Sequence, residues 1–548
     1  MSLDASYVHA NVEPESERTS SLELGVPRFR RESVILAFFS GVLSAILAVL
    51  LVFKYNLVYG DALTRVLNAY YVIRGNFHLA GIGFVWNPFP SLMELPFVLL
   101  HSLWRPILAD GLPGALISCL FSGVTVYYAH RIFVIFGAQR KLRIVWSLLL
   151  MVNPLLLLYG ANGMSDIMMV GAFLGATEGV IRYVETNRLA ALISSAVWLA
   201  MALGIRYEAV PFGFFLAVAL ALVLRRQRKG ISEIVASSSI VLFPVVCAGI
   251  IWIILNGMIM HDPFYFINSE YGNAAQTSAG NYTTKLTLFA YHDLPHAIEA
   301  VGRFDYLYLP ALLILPFLLL IPMFKHQHGV GWIISMCMIA VPLFQVDLLF
   351  KGNSAAWARF FIEYIPFGAL GCAYLIRFGR RWIWGMVATG LMVIGDISTT
   401  FALNNPTYGH GDYEIVRLVE QNKPDPAHAS YVGQAILVSE RKQASDVAKF
   451  INSHPKMIVL LDNFTDYLVV PLIKNPNQII VTNDRDFQSL LLNPRGRVSA
   501  FLVPRNQGVS HLNAINVQYP NLWARGASWA RLLKTFPGPY EYRMYAIR

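Results

Sequence analysis

Two aspartates that follow apolar runs are the strongest candidates for chemistry in this sequence. Asp61 lies in YGDALTR (59–65), directly after the first apolar run, and Asp166 ends ANGMSD (161–166), a tight turn between two later runs. A carboxylate at the start of an interfacial helix can take a proton from an acceptor hydroxyl, which is our hypothesis for Asp61. Asp166 can position an acceptor or help to hold a divalent cation such as Mg²⁺ or Mn²⁺. Both also have a structural interpretation as helix N-caps, Asp166 together with Ser165.

Basic residues at the same membrane level are candidate phosphate ligands. Lys351 and Arg359 lie in KGNSAAWARFFIEYIP (351–366), where they flank the start of an apolar run. A guanidinium group binds phosphate through a bidentate fork, so Arg359 is a candidate ligand for a lipid phosphate. A snorkelling interfacial arginine is the structural alternative. Arg206 and Glu208 lie two residues apart at another helix end, where they can simply pair with each other.

A weaker group of polar residues lies in the loop that begins His261–Asp262–Pro263 and continues through Glu270. The spacing of these side chains matches no metal-binding motif. We therefore keep His261, Asp262 and Glu270 only as acceptor or loop candidates, together with Glu208.

The hydropathy of the chain predicts that these residues belong to a polytopic membrane protein. Of 548 residues, 56% are apolar and only 14% are charged, and the mean hydropathy is +0.50. Apolar runs of about twenty residues can cross a hydrocarbon core of about 30 Å, whereas a soluble helix would carry polar residues at every third or fourth position. The predicted spans are 34–53, 112–136, 144–160, 165–184, 189–206, 209–224, 232–256, 305–323, 330–350, 360–376 and 382–402.

The net charge of +10 comes largely from short basic clusters between the apolar runs, and these clusters predict the orientation. Basic residues mark the cytoplasmic ends of spanning helices, and this distribution does not favour nucleic-acid binding. With the N-terminus in the cytoplasm, every cluster falls inside and every candidate residue falls outside. The clusters are Arg28, Arg30 and Arg31; Arg140, Lys141 and Arg143; Arg225, Arg226, Arg228 and Lys229; and Arg377, Arg380 and Arg381.

The segments around the spans predict a tail and two external loops. Residues 1–32 are polar and are expected to form a disordered cytoplasmic tail before the transmembrane domain, 33–403. The first loop is expected to carry two helices that lie in the interface. The loops are 55–110, with interfacial helices at 62–74 and 91–104, and 257–304.

The last part of the chain, 404–548, predicts a small extracytoplasmic α/β domain. Strand-like runs alternate with helical stretches, which indicates a largely parallel sheet. No glycine-rich phosphate loop precedes the helices, so a docking, acceptor-binding or structural role is favoured over nucleotide binding. The predicted strands are 457–462, 478–482 and 498–504, and the predicted helices lie near 444–453 and 484–492.

Several motifs resemble those of the GT-C superfamily of polyprenyl-phosphate-sugar-dependent membrane glycosyltransferases, such as protein mannosyltransferases and lipid-linked sugar transferases. The resemblance covers about residues 30–400 and begins with an Asp after the first span, in a long loop with two interfacial helices. It implies a GT-C-like fold. The motifs are GDALTR (60–65), GIGFVWNPFPSLMELPF (81–97), NGMSD (162–166), RYEA (206–209), HDPFYF (261–266) and RFFIEYIP (359–366).

The resemblance implies an inverting transfer of a hexose or pentose from a polyprenyl phosphate to an acceptor hydroxyl. Asp61 would deprotonate the acceptor, and Asp166 would assist the acceptor or a metal. The donor phosphate would be held by Arg359, with Arg65, Arg206 and Lys351 as further candidates. The acceptor is a glycan, a lipid or a protein, and the expected location is a bacterial plasma membrane. Because Asp61 is single and the C-terminal domain lacks a WWD-type motif, oligosaccharyltransferase activity is not expected.

Two other classes of function remain open on the sequence. A transporter or lipid flippase would carry charges near the bilayer midplane and inverted repeats with broken helices. The sequence places Asp347 and Asp396 near helix ends and shows no repeat. A non-catalytic scaffold would leave the clustering of candidate residues on one side unexplained.

Overall fold

The computed structural model shows a helical membrane domain followed by a small domain built on a β-sheet. It describes residues 15–74, 77–278, 285–324, 329–409, 411–421 and 438–548. The parts of the predicted tail, of both loops and of the C-terminal domain that fall between these ranges lie outside the described residues.

The membrane domain is made of helices joined by short connections. They are α1 (Glu15–Val49), α2 (Gly60–Ile73), α3 (Phe89–Val98), α4 (Pro106–Ala109), α5 (Leu112–Ile135), α6 (Arg140–Val152), α7 (Pro154–Ala161), α8 (Asp166–Thr186), α9 (Leu189–Ile205), α10 (Ala209–Arg226), α11 (Ile231–Met260), α12 (Tyr265–Asn268), α13 (Asn273–Ser278), α14 (Lys285–Ala290), α15 (Leu294–Gly302), α16 (Leu309–Phe324), α17 (Val330–Phe350), α18 (Tyr364–Tyr374), α19 (Arg381–Leu403), α20 (Pro406–Gly409) and α21 (Gly411–Gln421).

Nine helical segments of the described chain are long and apolar enough to cross a membrane. Helices α6 and α7 add a span that is bent by 62°, and α9 is a shorter apolar helix. The eleven predicted spans coincide with these segments. The prediction of a polytopic helical membrane protein is therefore confirmed.

The bend between α6 and α7 has a local cause. Pro154 has no backbone N–H and cannot continue the helical hydrogen bonding of α6. The side chain of Asn153 accepts a hydrogen bond from the backbone N–H of Leu156 (3.3 Å) and so caps α7. Helix α7 then ends at Ala161, next to the turn that leads to Asp166.

Three boundaries differ from the prediction. Helix α1 begins at Glu15, inside the segment predicted to be a disordered tail. The span predicted at 305–323 is longer, because α15 and α16 continue through a 3-10 turn into one segment, Leu294–Phe324. The interfacial helix predicted at 91–104 starts at Phe89 and ends at Val98, where a 3-10 turn follows.

Helix α8 is buried on nearly all its faces, and small residues let its neighbours approach closely. Gly171, Gly175 and Gly179 recur every four residues, a spacing that favours close packing of membrane helices. A Cβ at Gly179 would lie 2.7 Å from the backbone oxygen of Ala191 on α9. Because α8 begins at Asp166, this packing fixes the position of the Asp166 side chain.

The C-terminal domain has a five-stranded sheet in the order β2-β1-β3-β5-β4. Strand β1 pairs in parallel with β2 and β3, whereas β5 pairs antiparallel with β3 and β4. The sheet is thus mixed, and the prediction of a largely parallel sheet missed its last two strands. The elements are α22 (Val438–Asn452), β1 (Val459–Leu460), β2 (Ile479–Ile480), α23 (Phe487–Leu492), β3 (Ala500–Val503), α24 (Ala514–Gln518), α25 (Leu522–Arg525), β4 (Ala530–Phe536) and β5 (Tyr542–Ile547).

Ion pairs hold this domain against the first loop of the membrane domain. Arg74 at the end of α2 pairs with Asp484, and Arg441 on α22 pairs with Asp110. Helix α21, predicted to belong to the C-terminal domain, instead packs on the membrane domain, where Ile415 joins the main apolar core. The C-terminal domain is therefore held next to α2, and a cavity lies between them.

We expect Gly179→Ala to lower the melting temperature of the purified protein in a thermal-shift assay. The added methyl group would clash with the backbone of α9, and overpacking of this kind costs about 1–3 kcal/mol. That exceeds the gain of up to about 1 kcal/mol in helix propensity. Gly390→Ala on the exposed face of α19 is the matched control, because its added Cβ meets nothing within 4 Å. Equal melting temperatures for the two variants would contradict the close packing of α8.

Candidate active site

A chain of ion pairs connects five of the predicted site residues. Arg359 donates from Nη2 to Oδ2 of Asp61 (3.0 Å), and its Nη1 lies 3.9 Å from Oδ2 of Asp166. Arg206 donates to Oδ1 of Asp166 (2.9 Å). It also donates from Nη2 and Nε to Oε1 of Glu208 (2.5 and 3.0 Å). We call Asp61, Arg359, Asp166, Arg206 and Glu208 the charge network.

Arg65 lies beside the charge network, one helical turn after Asp61. Its Nη1 donates to the backbone oxygen of Asp61 (3.2 Å), and its guanidinium group lies 4.6 Å from the ring centre of Trp86. Within the described chain, Nε of Arg65 and Nε of Arg359 are buried without a hydrogen-bond partner. A buried donor of this kind suggests that a ligand completes the site.

Helix ends bring these residues together. Asp61 lies in the first turn of α2, and Asp166 is the first residue of α8. Arg206 and Glu208 occupy the junction between α9 and α10, and Arg359 lies in a 3-10 turn before α18. Neither aspartate caps its helix, because the N-caps are Tyr59 and Ser165 and neither makes a side-chain capping bond. Their carboxylates are thus available to the arginines.

The charge network is mostly buried, but the side chain of Asp61 is partly exposed to solvent. Asp166 is fully buried and Arg359 is 4% exposed, whereas 36% of the Asp61 side chain is exposed. Burial alone would raise the pKa of Asp61, but the charges of Arg359 and Arg65 outweigh it and lower that pKa. Asp61 is therefore an accessible carboxylate at neutral pH, and it can accept a hydrogen bond from a hydroxyl group.

Two cavities meet at Asp61. The first, which we call the arginine cavity, has a volume of about 600 Å³ and mixes cationic with apolar walls. The second, which we call the amide cavity, has a volume of about 440 Å³ and lies between α2 and the C-terminal domain. Asp61, Val85, Trp86 and Gln276 line both cavities. The arginine cavity also includes Arg65, Arg206, Arg359 and Lys351.

The structure separates the remaining predicted residues from the charge network. Lys351 pairs with Asp347 (2.8 Å), and both side chains are about half exposed. Asp262 accepts hydrogen bonds from the backbone of Phe264 and the side chain of Asn268, so it stabilises its own loop.

None of the three predicted loop residues lines either cavity. His261 is the C-cap of α11, and Glu270 is exposed. Asp262 accepts a hydrogen bond from the backbone of its own loop. Tyr265, Tyr271 and Gln276 of the same segment line the amide cavity instead. The acceptor-binding role of this segment stays a prediction, and its residues that line the amide cavity are two tyrosines and a glutamine.

The residues around Asp166 do not fit a divalent cation. No group of three His, Cys, Asp or Glu side chains converges as a metal site in the described ranges. The Asp166 carboxylate lies within ion-pair distance of Arg206 and Arg359, and two guanidinium groups would repel a bound cation. Asp166 instead holds these two arginines, and its predicted role toward the acceptor stays a prediction.

Sequence reasoning missed the aromatic residues that support the arginines. Arg359 lies 4.6 Å from the ring centre of Trp357 and 5.1 Å from that of Phe360. Arg206 lies 5.6 Å from the ring centre of Phe360. Such cation–π contacts hold a guanidinium group without consuming its hydrogen bonds. Trp357 and Phe360 flank Arg359 in the sequence, which is the only signal that pointed to them.

A buried acid behind the site was also missed, because it was assigned to the C-terminal domain. Asp412 on α21 accepts hydrogen bonds from Tyr159 at 3.0 Å on both oxygens. Burial raises the pKa of Asp412 to about 7. These hydrogen bonds join α21 to α7 of the membrane domain.

Comparison with known proteins identifies the fold. No family model and no curated protein matches the chain. Two crystal structures of ArnT from Cupriavidus metallidurans, one in the apo state and one bound to undecaprenyl phosphate, match it with a TM-score of 0.51. The alignments cover 95–96% of this chain and 97–98% of the other, at 13% sequence identity. The chain has the GT-C fold.

In this GT-C fold, Asp166 is the acid on which two buried arginines depend. We expect Asp166→Asn to lower the melting temperature strongly, because removing one partner of a buried ion pair costs about 3–5 kcal/mol. Asp446→Asn is the matched control, since Asp446 is half exposed and pairs with Lys449 only at 3.5 Å. Its expected cost is at most about 1 kcal/mol. Both variants would be compared by thermal shift. Similar melting temperatures would show that Asp166 does not stabilise the charge network.

Proposed function

We propose that the protein is a glycosyltransferase that moves a sugar from a polyprenyl phosphate to an acceptor hydroxyl, with inversion, on the extracytoplasmic side of the membrane. The observation that carries the proposal is the position of Asp61. This exposed carboxylate lies where a cavity rich in arginine meets a neutral polar cavity. The arrangement suits a reaction in which an anionic lipid donor enters on one side and an acceptor enters on the other.

The arginine cavity fits the donor. Its cations can bind a phosphate through charge-assisted hydrogen bonds, and its apolar walls suit the first isoprene units of a lipid. The walls include Ile205, Val210, Pro211, Phe344 and Leu348. The undecaprenyl phosphate in one of the matching ArnT structures supports this choice of donor.

The chemistry follows from this placement. The acceptor oxygen attacks the anomeric carbon of the donor sugar, and its proton passes to the carboxylate of Asp61. The bond between the anomeric carbon and the phosphate oxygen breaks, and its electron pair stays on the phosphate. Arg359 and Arg65 stabilise the charge of the departing polyprenyl phosphate. A single displacement from the side opposite the phosphate inverts the anomeric centre.

The pair between Arg359 and Asp61 links donor binding to catalysis. In the free protein, Arg359 helps to lower the pKa of Asp61 and so makes it a weak base. A donor phosphate that engages Arg359 would compete with Asp61 for the guanidinium group. The basicity of Asp61 would then rise when the donor is in place.

We expect Asp61→Asn to reduce sugar transfer by about 10²–10⁴-fold, the usual contribution of a general base. The measurement is transfer of label from polyprenyl-phosphate sugars in membranes that contain the variant. Its melting temperature should fall less than that of Asp166→Asn, because Asp61 is partly exposed and Arg359 keeps its contact with Asp166. The control variant Asp446→Asn, in α22 of the C-terminal domain, should transfer sugar at the wild-type rate. Near-normal transfer by Asp61→Asn would remove this residue from the mechanism.

We expect Arg359→Lys to weaken the binding of undecaprenyl phosphate by about tenfold or more. Lysine keeps the charge but loses the bidentate fork, and a hydrogen bond between charged groups is worth about 1.5–3 kcal/mol. Dissociation constants would be measured with the full chain in nanodiscs. Arg303→Lys is the matched control, because Arg303 is exposed and pairs with Glu299. If both variants bind equally well, Arg359 does not hold the phosphate.

A further inference from the structure

The amide cavity differs from the arginine cavity in charge. Asp61 and Glu440 are the charged residues among those that line it, and no lysine, arginine or histidine does so within the described ranges. The arginine cavity, by contrast, has four cationic side chains, beside the carboxylates of Asp61, Glu208 and Asp347. An anionic group in the amide cavity would therefore lie near the carboxylates of Asp61 and Glu440 and would meet no basic side chain among the described residues that line the cavity. Binding of an anion there would lack the charge-assisted hydrogen bonds that a basic side chain supplies.

The other polar groups of the amide cavity are neutral amides and hydroxyls. Asn463 donates to Asn483 (2.8 Å), and Asn483 donates to the backbone oxygen of Gly81 in the first loop (3.1 Å). Oδ1 of Asn463 accepts from the backbone N–H of Thr482 (3.1 Å). These bonds fix the orientation of the amides across the junction of the two domains. Amides and hydroxyls both donate and accept hydrogen bonds, as sugar hydroxyls do.

Aromatic rings complete the walls of the amide cavity. Tyr271 of the second loop packs on Phe464 of the C-terminal domain, with ring centres 4.9 Å apart. Tyr265, Tyr540 and Trp86 also line the cavity. Aromatic faces offer an apolar surface with a polar edge, which matches the C–H faces and hydroxyl rims of a sugar ring. The volume of about 440 Å³ lies in the range of about 300–1,000 Å³ that is usual for small-ligand pockets.

We propose that the acceptor is an uncharged carbohydrate, bound in the amide cavity by the C-terminal domain and α2 together. This inference rests on the proposed function and names its acceptor. One hydroxyl of the bound sugar lies against Asp61. Its oxygen bonds to the anomeric carbon of the donor, its proton goes to Asp61, and the polyprenyl phosphate leaves with the electron pair of the broken bond. The C-terminal domain is thereby an acceptor-binding domain.

The test compares neutral and anionic sugars on the full chain in nanodiscs. The probes are methyl glycosides of gluco-, galacto-, manno- and arabino-configured disaccharides, together with their phosphorylated and uronic-acid counterparts. A serine- and threonine-rich peptide represents a protein acceptor. Binding is followed by saturation-transfer NMR and titration, and undecaprenyl phosphate is titrated on the same sample.

We expect at least one neutral disaccharide to bind, and its anionic counterparts to bind about tenfold more weakly or worse. Asn68→Lys places a cation on the α2 wall of the cavity, and Glu440→Gln removes an anion from it. In each variant, the ratio of the dissociation constants of the anionic and neutral probes should fall below about threefold. The dissociation constant of undecaprenyl phosphate should stay unchanged.

Three results would overturn the inference. They are equal or tighter binding of the anionic probes to the wild type, binding of the peptide alone, and binding of none of the sugars while undecaprenyl phosphate binds. In each of these cases the proposed transferase function survives. Failure of undecaprenyl phosphate itself to bind would instead count against the proposed function, so the two failures are distinguishable.

Discussion

The arrangement of the site depends on the cost of burying charge. Two arginines, Arg206 and Arg359, pair with three carboxylates at neighbouring helix ends, and Arg65 lies beside them. An isolated charge in such a place would be very costly, so the mutual pairing of Arg206, Arg359 and the three carboxylates stabilises the site. Asp166 is central, because it is completely buried and contacts both Arg206 and Arg359. The cations that the proposed donor phosphate would need are thus held in place before it binds, which lowers the cost of ordering them.

The architecture follows from the need to bring those charges to one level. Each member lies at a helix end or junction, where polar groups can meet without crossing the hydrocarbon. The glycines of α8 let α9 pack closely, so that Asp166 and Arg206 meet. The C-terminal domain is held by the pairs of Arg74 with Asp484 and of Arg441 with Asp110. These pairs bring its amides to the cavity that Asp61 faces.

Hydropathy and charge bias were enough to predict the spans and to place Asp61, Asp166 and Arg359 on the same side. The pairs themselves were not predictable, because Asp61 and Arg359 are 298 residues apart in the sequence. Lys351 shares a sequence segment with Arg359 and lines the same cavity, but it pairs with Asp347, one helical turn before it, and not with a member of the charge network. The last two strands were missed because β4 exposes four of its seven residues and lacks an apolar pattern.

Under the proposed function, the different lining of the two cavities would orient the donor. A polyprenyl phosphate carries its negative charge next to the transferred sugar, so the proposed donor would be stabilised where Arg65, Arg206 and Arg359 line the arginine cavity. The amide cavity offers the same group two carboxylates and no cation among the residues described, so a donor that entered there would be destabilised. Asp61 belongs to both cavities and carries the only exposed carboxylate of the charge network. Under the proposed function, the same side chain would separate the site of the donor phosphate from the site of the acceptor and would accept the proton of the acceptor hydroxyl.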